Sequence, residues 1–129
     1  MNILIVTQYF WPENFKINDL AQEMVSRGHD VTVLTGIPNY PSGKFFKGYG
    51  LLKKRVEKYN GIKIIRSPII ARGTGSGFRL AVNYLSFVIG CIFSSIKLLN
   101  KSFDSIFVFE VSPITVCLPA IFFKKIKKT

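Results

Sequence analysis

Three short segments place polar and aromatic side chains directly after apolar runs. Loops leaving the carboxyl ends of parallel strands collect ligands in that position. The first is Gln8-Tyr9-Phe10-Trp11-Pro12-Glu13, which follows the run Ile3 to Val6. Aromatic faces stack on sugar rings, and an amide or carboxylate bonds hydroxyls. Gln8, Tyr9, Trp11 and Glu13 are therefore candidate binding residues. The second segment is Gly36-Ile37-Pro38-Asn39-Tyr40-Pro41-Ser42-Gly43, whose prolines restrict the loop before any ligand arrives. It adds Asn39 and Tyr40. The third is Phe109-Glu110-Val111-Ser112-Pro113. A carboxylate at a strand tip, here Glu110, can take a proton or bind a hydroxyl. A fourth segment, Gly73-Thr74-Gly75-Ser76-Gly77, sits between a strand and a helix, but its spacing is not the dinucleotide-binding GxGxxG. It reads as a turn.

Other chemistries are excluded or unsupported. Two cysteines do not make a disulfide scaffold, and one histidine excludes a multi-histidine metal site. Cys91 and Cys117 read as buried thiols in a reducing compartment, and His29 as a structural residue in a turn. No metal and no bound cofactor are expected. The net charge of +11 calls for an anionic partner, yet no zinc-finger, RNA-recognition or basic-zipper signature accompanies it. Nucleic acid is therefore not the expected partner. The charge is uneven: residues 1–43 hold two basic and four acidic groups, and residues 44–66 hold eight basic and one acidic.

The elements that must position these residues follow from periodicity. Ile3 to Val6 is unbroken apolar, the pattern of a strand buried on both faces. Asn14 is placed to cap a helix whose apolar positions are Ile17, Leu20, Ala21, Met24 and Val25. Gly28 is placed to end it, and Val31, Val33 and Leu34 form the next strand. Ile62 to Ile65 reads as a third strand, extended by Ile69 and Ile70, and Ile106 to Val111 as a fourth. Ser112 and Pro113 then open a helix interrupted by Pro119. The alternation predicts an α/β chain: a Rossmann-like, doubly wound parallel sheet. The sheet looks unfinished after the last helix, so the chain reads as one truncated domain, 1–129, or one completed by a partner.

Arg79 and Lys97 bracket 17 uncharged residues, which fit a membrane span, a buried core helix or a helix lying on a bilayer surface. The segment from Lys44 to Arg66 interleaves aromatics with basic residues. Its Lys44, Lys47, Lys53, Lys54 and Arg55 are candidates to meet an anionic membrane surface or a phosphate. The first residues lack a basic start and a cleavage site, so the expected location is the cytoplasm.

Five stretches together resemble a known family: Ile3 to Phe15, Ile17-Asn18-Asp19-Leu20-Ala21, Arg27-Gly28-His29-Asp30-Val31-Thr32-Val33-Leu34-Thr35-Gly36, Pro38-Asn39-Tyr40-Pro41 and Ser112-Pro113-Ile114-Thr115-Val116. They are similar to the amino-terminal domain of family 4 glycosyltransferases, nearest to the bacterial transferases of O-antigen, capsule and colanic-acid assembly, including the L-fucosamine transferase type. The resemblance covers nearly the whole chain.

The resemblance implies one half of a GT-B enzyme that retains anomeric configuration and needs no metal. The amino-terminal half binds the acceptor, often a lipid-linked saccharide at the inner face of the plasma membrane. A carboxyl-terminal domain binds the nucleotide-sugar donor and carries paired glutamates. The sequence contains no such pair, and Phe109-Glu110 stand where many relatives place a histidine. The expectation is an acceptor-binding half, inactive alone, whose donor domain is a continuation or a separate chain. The alternative is a non-catalytic subunit that recruits a donor-domain chain to the membrane. A third possibility is a small integral membrane protein using residues 80–99.

Overall fold

The computed structural model describes residues 1–110 and 114–127. The chain builds β1 (Asn2–Thr7), α1 (Lys16–Ser26), β2 (Asp30–Gly36), β3 (Val56–Tyr59), β4 (Ile62–Ser67), α2 (Gly77–Ser95), β5 (Ser105–Phe109) and α3 (Cys117–Lys127). Single 3-10 turns at Ile96–Leu98 and Ile114–Val116 follow α2 and precede α3. The strands form one five-stranded sheet in the order β3-β4-β2-β1-β5. All pairs are parallel except β3 with β4. This is a mixed α/β fold with an open, mostly parallel sheet.

Alternation along the strands supplies two cores. Ile3, Ile5, Val31, Val33, Ile62 and Ile64 face α1 and meet its Ile17 and Ala21. Leu4, Val6, Leu34 and Ile65 face the other way and meet Phe87 and Cys91 of α2 and Ala120 and Phe123 of α3. Both faces of the central strands are thus covered, which is why those strands read as continuous apolar runs.

Several expected details change. Asn14 does not cap α1. Phe15 holds the N-cap position without a side-chain bond, and Asn18 Nδ2 donates to the Glu13 carbonyl at 2.7 Å. Phe15 is pinned there by stacking on Tyr9, with ring centroids 5.0 Å apart. Leu20 lies at the margin of the α1 face, while Met24 and Val25 pack against the core. Gly28 ends α1 as expected, at φ +88° with its amide on the Val25 carbonyl. The third parallel strand, β4, stops at Ser67, so Ile69 and Ile70 lie beyond it. Pro119 does not interrupt a helix. It occupies the first turn of α3, where an amide has no intrahelical acceptor to lose. The Ser112-Pro113 helix start lies outside the described residues.

Strand β3 was not expected. It forms a hairpin with β4 through Asn60-Gly61, both at positive φ (47° and 81°), as a two-residue turn of this hand requires. Helix α2 presses closely on the chain after β4. A Cβ at Gly90 would run into the Pro68 carbonyl, so only glycine permits that approach. Asn83 fastens the same helix by donating to the Ile70 carbonyl at 2.6 Å. The long apolar segment is thereby a helix lying along the sheet, with Phe87 and Cys91 fully buried beneath it.

Candidate functional site

Because β1, β2, β4 and β5 are parallel, their carboxyl ends share one edge of the sheet. The loops leaving that edge bring together most of the expected residues. Gln8 and Tyr9 leave β1 and are buried, as are Glu13 and Asn39; Tyr40 is 38% exposed. Trp11 is half-buried. The Trp11–Pro12 and Tyr40–Pro41 peptide bonds are cis.

Glu13 joins the first two loops. Its Oε2 accepts the backbone N–H groups of Asn39 (3.1 Å) and Tyr40 (2.8 Å). Its Oε1 is buried with no hydrogen-bond partner among the described residues. Burial pushes the Glu13 carboxyl up to about 7, against the backbone N–H bonds and Arg66, which favour its charged form. Gln8 shows a parallel arrangement. Its Nε2 donates to Asn83 Oδ1 at 2.7 Å, while its Oε1 is buried and unpartnered among the described residues.

Above these groups stand the aromatic rings. Tyr9 stacks on Phe15, and both rings tilt against Tyr40, with centroids 5.7 and 5.2 Å away. Arg72 reaches the cluster from the chain after β4. Its Nη1 donates to the Tyr9 hydroxyl at 3.0 Å, and its guanidinium lies 5.0 Å from the Tyr40 ring centre. The Arg72 backbone N–H donates to Asn39 Oδ1 at 3.1 Å, which links the third loop to the second. Burial pushes the Tyr9 phenol up to about 12 despite Arg72, so the hydroxyl that accepts from Arg72 stays protonated at neutral pH.

Trp11 follows a different route. It stacks on Tyr59 of β3, centroids 3.9 Å apart and planes within 10°. Its carbonyl accepts from Arg66 Nη2 at 2.6 Å. Arg66 is fully buried at the end of β4. It also donates Nη1 to the Gly36 carbonyl at 3.2 Å and pairs with Glu57 at 2.6 Å. One guanidinium thus fastens the β1 loop, the end of β2 and the added strand β3.

Glu110 follows Phe109, which is in register with Thr7, so it leaves the sheet beside Gln8 on the same edge. It is exposed, and its carboxylate lies 3.7 Å from Cys117 Sγ. Among the described residues it makes no hydrogen bond to the Tyr9 cluster. Cys117 is half-exposed rather than buried, whereas Cys91 is buried and its thiol is pushed up to about 12 by desolvation. The expected basic group divides. Lys44, Lys47 and Lys53 project into solvent. Lys54 lies 5.0 Å over the Tyr49 ring. Arg55 is occupied within the fold, donating to the carbonyls of Arg66 (2.6 Å) and Leu51 (3.0 Å). Gly73-Thr74 is a turn, as expected, with Gly73 N–H donating to the Gly43 carbonyl, while Ser76 caps α2 and Gly77 opens it.

Sequence reasoning missed Arg66, Glu57, Arg72 and Asn83. Each reaches the edge from another element, and Glu57 and Arg66 lie inside the stretch read only for its basic charge. The described residues contain no cluster with the donors for a metal ion. The chain matches no protein-family model and no curated protein.

Two outcomes follow. Replacing Arg66 by Met leaves Glu57 and two carbonyls without their donor, which should lower stability by about 3–5 kcal/mol in urea unfolding; a loss below about 1 kcal/mol would contradict the tethering role. Glu13 holds its proton more tightly folded than unfolded, so its contribution to stability is present below its ordinary value of 4.5 and is lost as pH rises through about 7. Glu13→Gln should flatten that decline, on the order of 3 kcal/mol, in unfolding midpoints followed across the window. An unchanged slope would show that Glu13 does not titrate there.

Proposed function

We propose that this chain is the acceptor-binding half of a retaining glycosyltransferase that moves a sugar from a nucleotide-sugar to a lipid-linked saccharide in bacterial surface polysaccharide synthesis. The carrying observation is the aromatic surface at the carboxyl edge, where Tyr9, Phe15 and Tyr40 pack together and the Arg72 guanidinium lies 5.0 Å from the Tyr40 ring centre. Aromatic faces beside a hydrogen-bond donor are the complement of a saccharide, which presents O–H groups around its rim and C–H groups on its faces.

The sheet supports the reading. Its parallel strands run β4-β2-β1-β5, the order of a Rossmann-like half sheet, and the side of β1 on which strands are added switches between β4 and β5. Open sheets bind ligands at that crevice, and Gln8 and Glu110 emerge there. On this reading Gln8, Tyr9, Trp11, Glu13, Asn39 and Tyr40 form the acceptor side. Tyr40, Trp11 and Arg72 offer the exposed surface, and the buried members hold the loops. Lys44, Lys47 and Lys53 are the basic groups left free to meet a diphosphate or acidic lipid. The nucleotide-sugar belongs to a second domain, on this chain's continuation or a separate chain, and the protein works at the inner face of the plasma membrane.

The chain has a single tryptophan, and it lies in the proposed site. Adding a lipid-linked or diphospho-oligosaccharide should change its fluorescence saturably, while a nucleotide-sugar should not. Tyr40→Ala should weaken the saccharide titration about tenfold, the loss of one exposed stacking face. A response to nucleotide-sugar alone, or none to any saccharide, would reject the acceptor assignment.

A further inference from the structure

The outward side of the helical layer is the largest feature left unexplained by the carboxyl-edge site. Along α2 and the turn after it, Phe78, Leu85, Ile89, Phe93 and Ile96 are 57–79% exposed. With Val82 they recur every three or four residues, so they form one stripe opposite the buried Phe87 and Cys91. Helix α3 packs against α2 on the same face of the sheet. It adds exposed Leu118, Ile121, Phe122 and Ile126. Exposed apolar side chains gathered on two packed helices mark an interaction site.

Charge selects the occupant. Neither α2 nor α3 contains an acidic residue. Arg79 and Lys97 flank the α2 stripe, and Lys124 and Lys125 stand exposed on α3. We propose that this α2–α3 face docks the protein flat on an anionic bilayer, with the apolar stripes at the headgroup boundary and the flanking cations on lipid phosphates. Spanning is disfavoured by the other side of the helix. For α2 to cross a membrane it would have to leave the Asn83 bonds to Gln8 and Ile70 and the close seat of Gly90 on Pro68. The inference deepens the membrane-apposed part of the reading above and rests on that part alone. It assigns lipid contact to the helices and leaves Lys44, Lys47 and Lys53 to the diphosphate.

The test is flotation of the full chain with phosphatidylcholine vesicles, with and without phosphatidylglycerol. Binding should require the anionic lipid and weaken at high salt. The pair Ile89→Asn with Phe93→Asn, both exposed, should weaken binding at least about tenfold with an unchanged circular dichroism spectrum. The pair Lys124→Gln with Lys125→Gln should weaken it and reduce its salt dependence. The triple change of Lys44, Lys47 and Lys53 to Gln tests the basic loop as the rival lipid contact. No vesicle binding, or binding abolished only by that triple change, overturns the assignment of this face. So does self-association that depends on Ile89 and Phe93 without vesicle binding, which makes the occupant a second copy. The tryptophan titration with a soluble saccharide reports separately, so failure of docking and failure of the acceptor reading are distinguishable.

Discussion

A single buried guanidinium sets the geometry of the carboxyl edge. Arg66 lies at the end of β4, fully enclosed, and a charge in that position is tolerated only where its donors are matched. Its partners come from three separate segments: the Trp11 carbonyl, the Gly36 carbonyl and the Glu57 carboxylate. Satisfying Arg66 therefore fixes how far the β1 loop, the end of β2 and β3 stand from one another. Tyr49 closes the remaining side, 4.9 Å from the guanidinium. The stack of Trp11 on Tyr59 follows from the same constraint, since both residues are held by elements that Arg66 joins.

Glu13 and Arg72 extend this framework toward the tyrosines. Glu13 binds two consecutive amides of the second loop, and Arg72 bridges that loop to Tyr9. Three loops from three strands thus form one connected unit before any ligand enters. Preformed sites of this kind lose less entropy on binding. Glu13 sits at the junction, and its burial raises its proton affinity while its Oε2 holds the second loop. On the opposite side of the sheet the α2–α3 layer has a separate character: one side of α2 supports the core and the other remains apolar in solvent.

Much of this was legible in the residues. The runs Ile3 to Val6 and Val31 to Leu34 announced strands covered on both faces, because such strands carry no polar alternation. Gln8, Tyr9, Glu13, Asn39 and Tyr40 could be grouped because parallel strands deliver their loops to one edge. Strand β3 was hidden by its charges: Val56-Glu57-Lys58-Tyr59 reads as part of a basic stretch, although Asn60-Gly61 is a strong hairpin signal. Arg66 was hidden for the same reason, counted only as the end of a basic stretch when burial makes it a tether. Arg55 likewise serves the fold. Asn14 has the right residue type for a cap, but the stacking of Phe15 on Tyr9 moves the helix start, and stacking between loops leaves no local sequence signal.

The most direct measurement is amide chemical-shift mapping of the isotopically labelled chain during titration with a soluble diphospho-oligosaccharide. The expected result is saturable shifts confined to Gln8–Glu13, Asn39–Tyr40 and Arg72, with the Asn39 and Tyr40 amides moving together because both are held by Glu13. Shifts centred on the opposite edge of the sheet, around His29 and Asn60, or no shifts at saturating saccharide, would contradict the account.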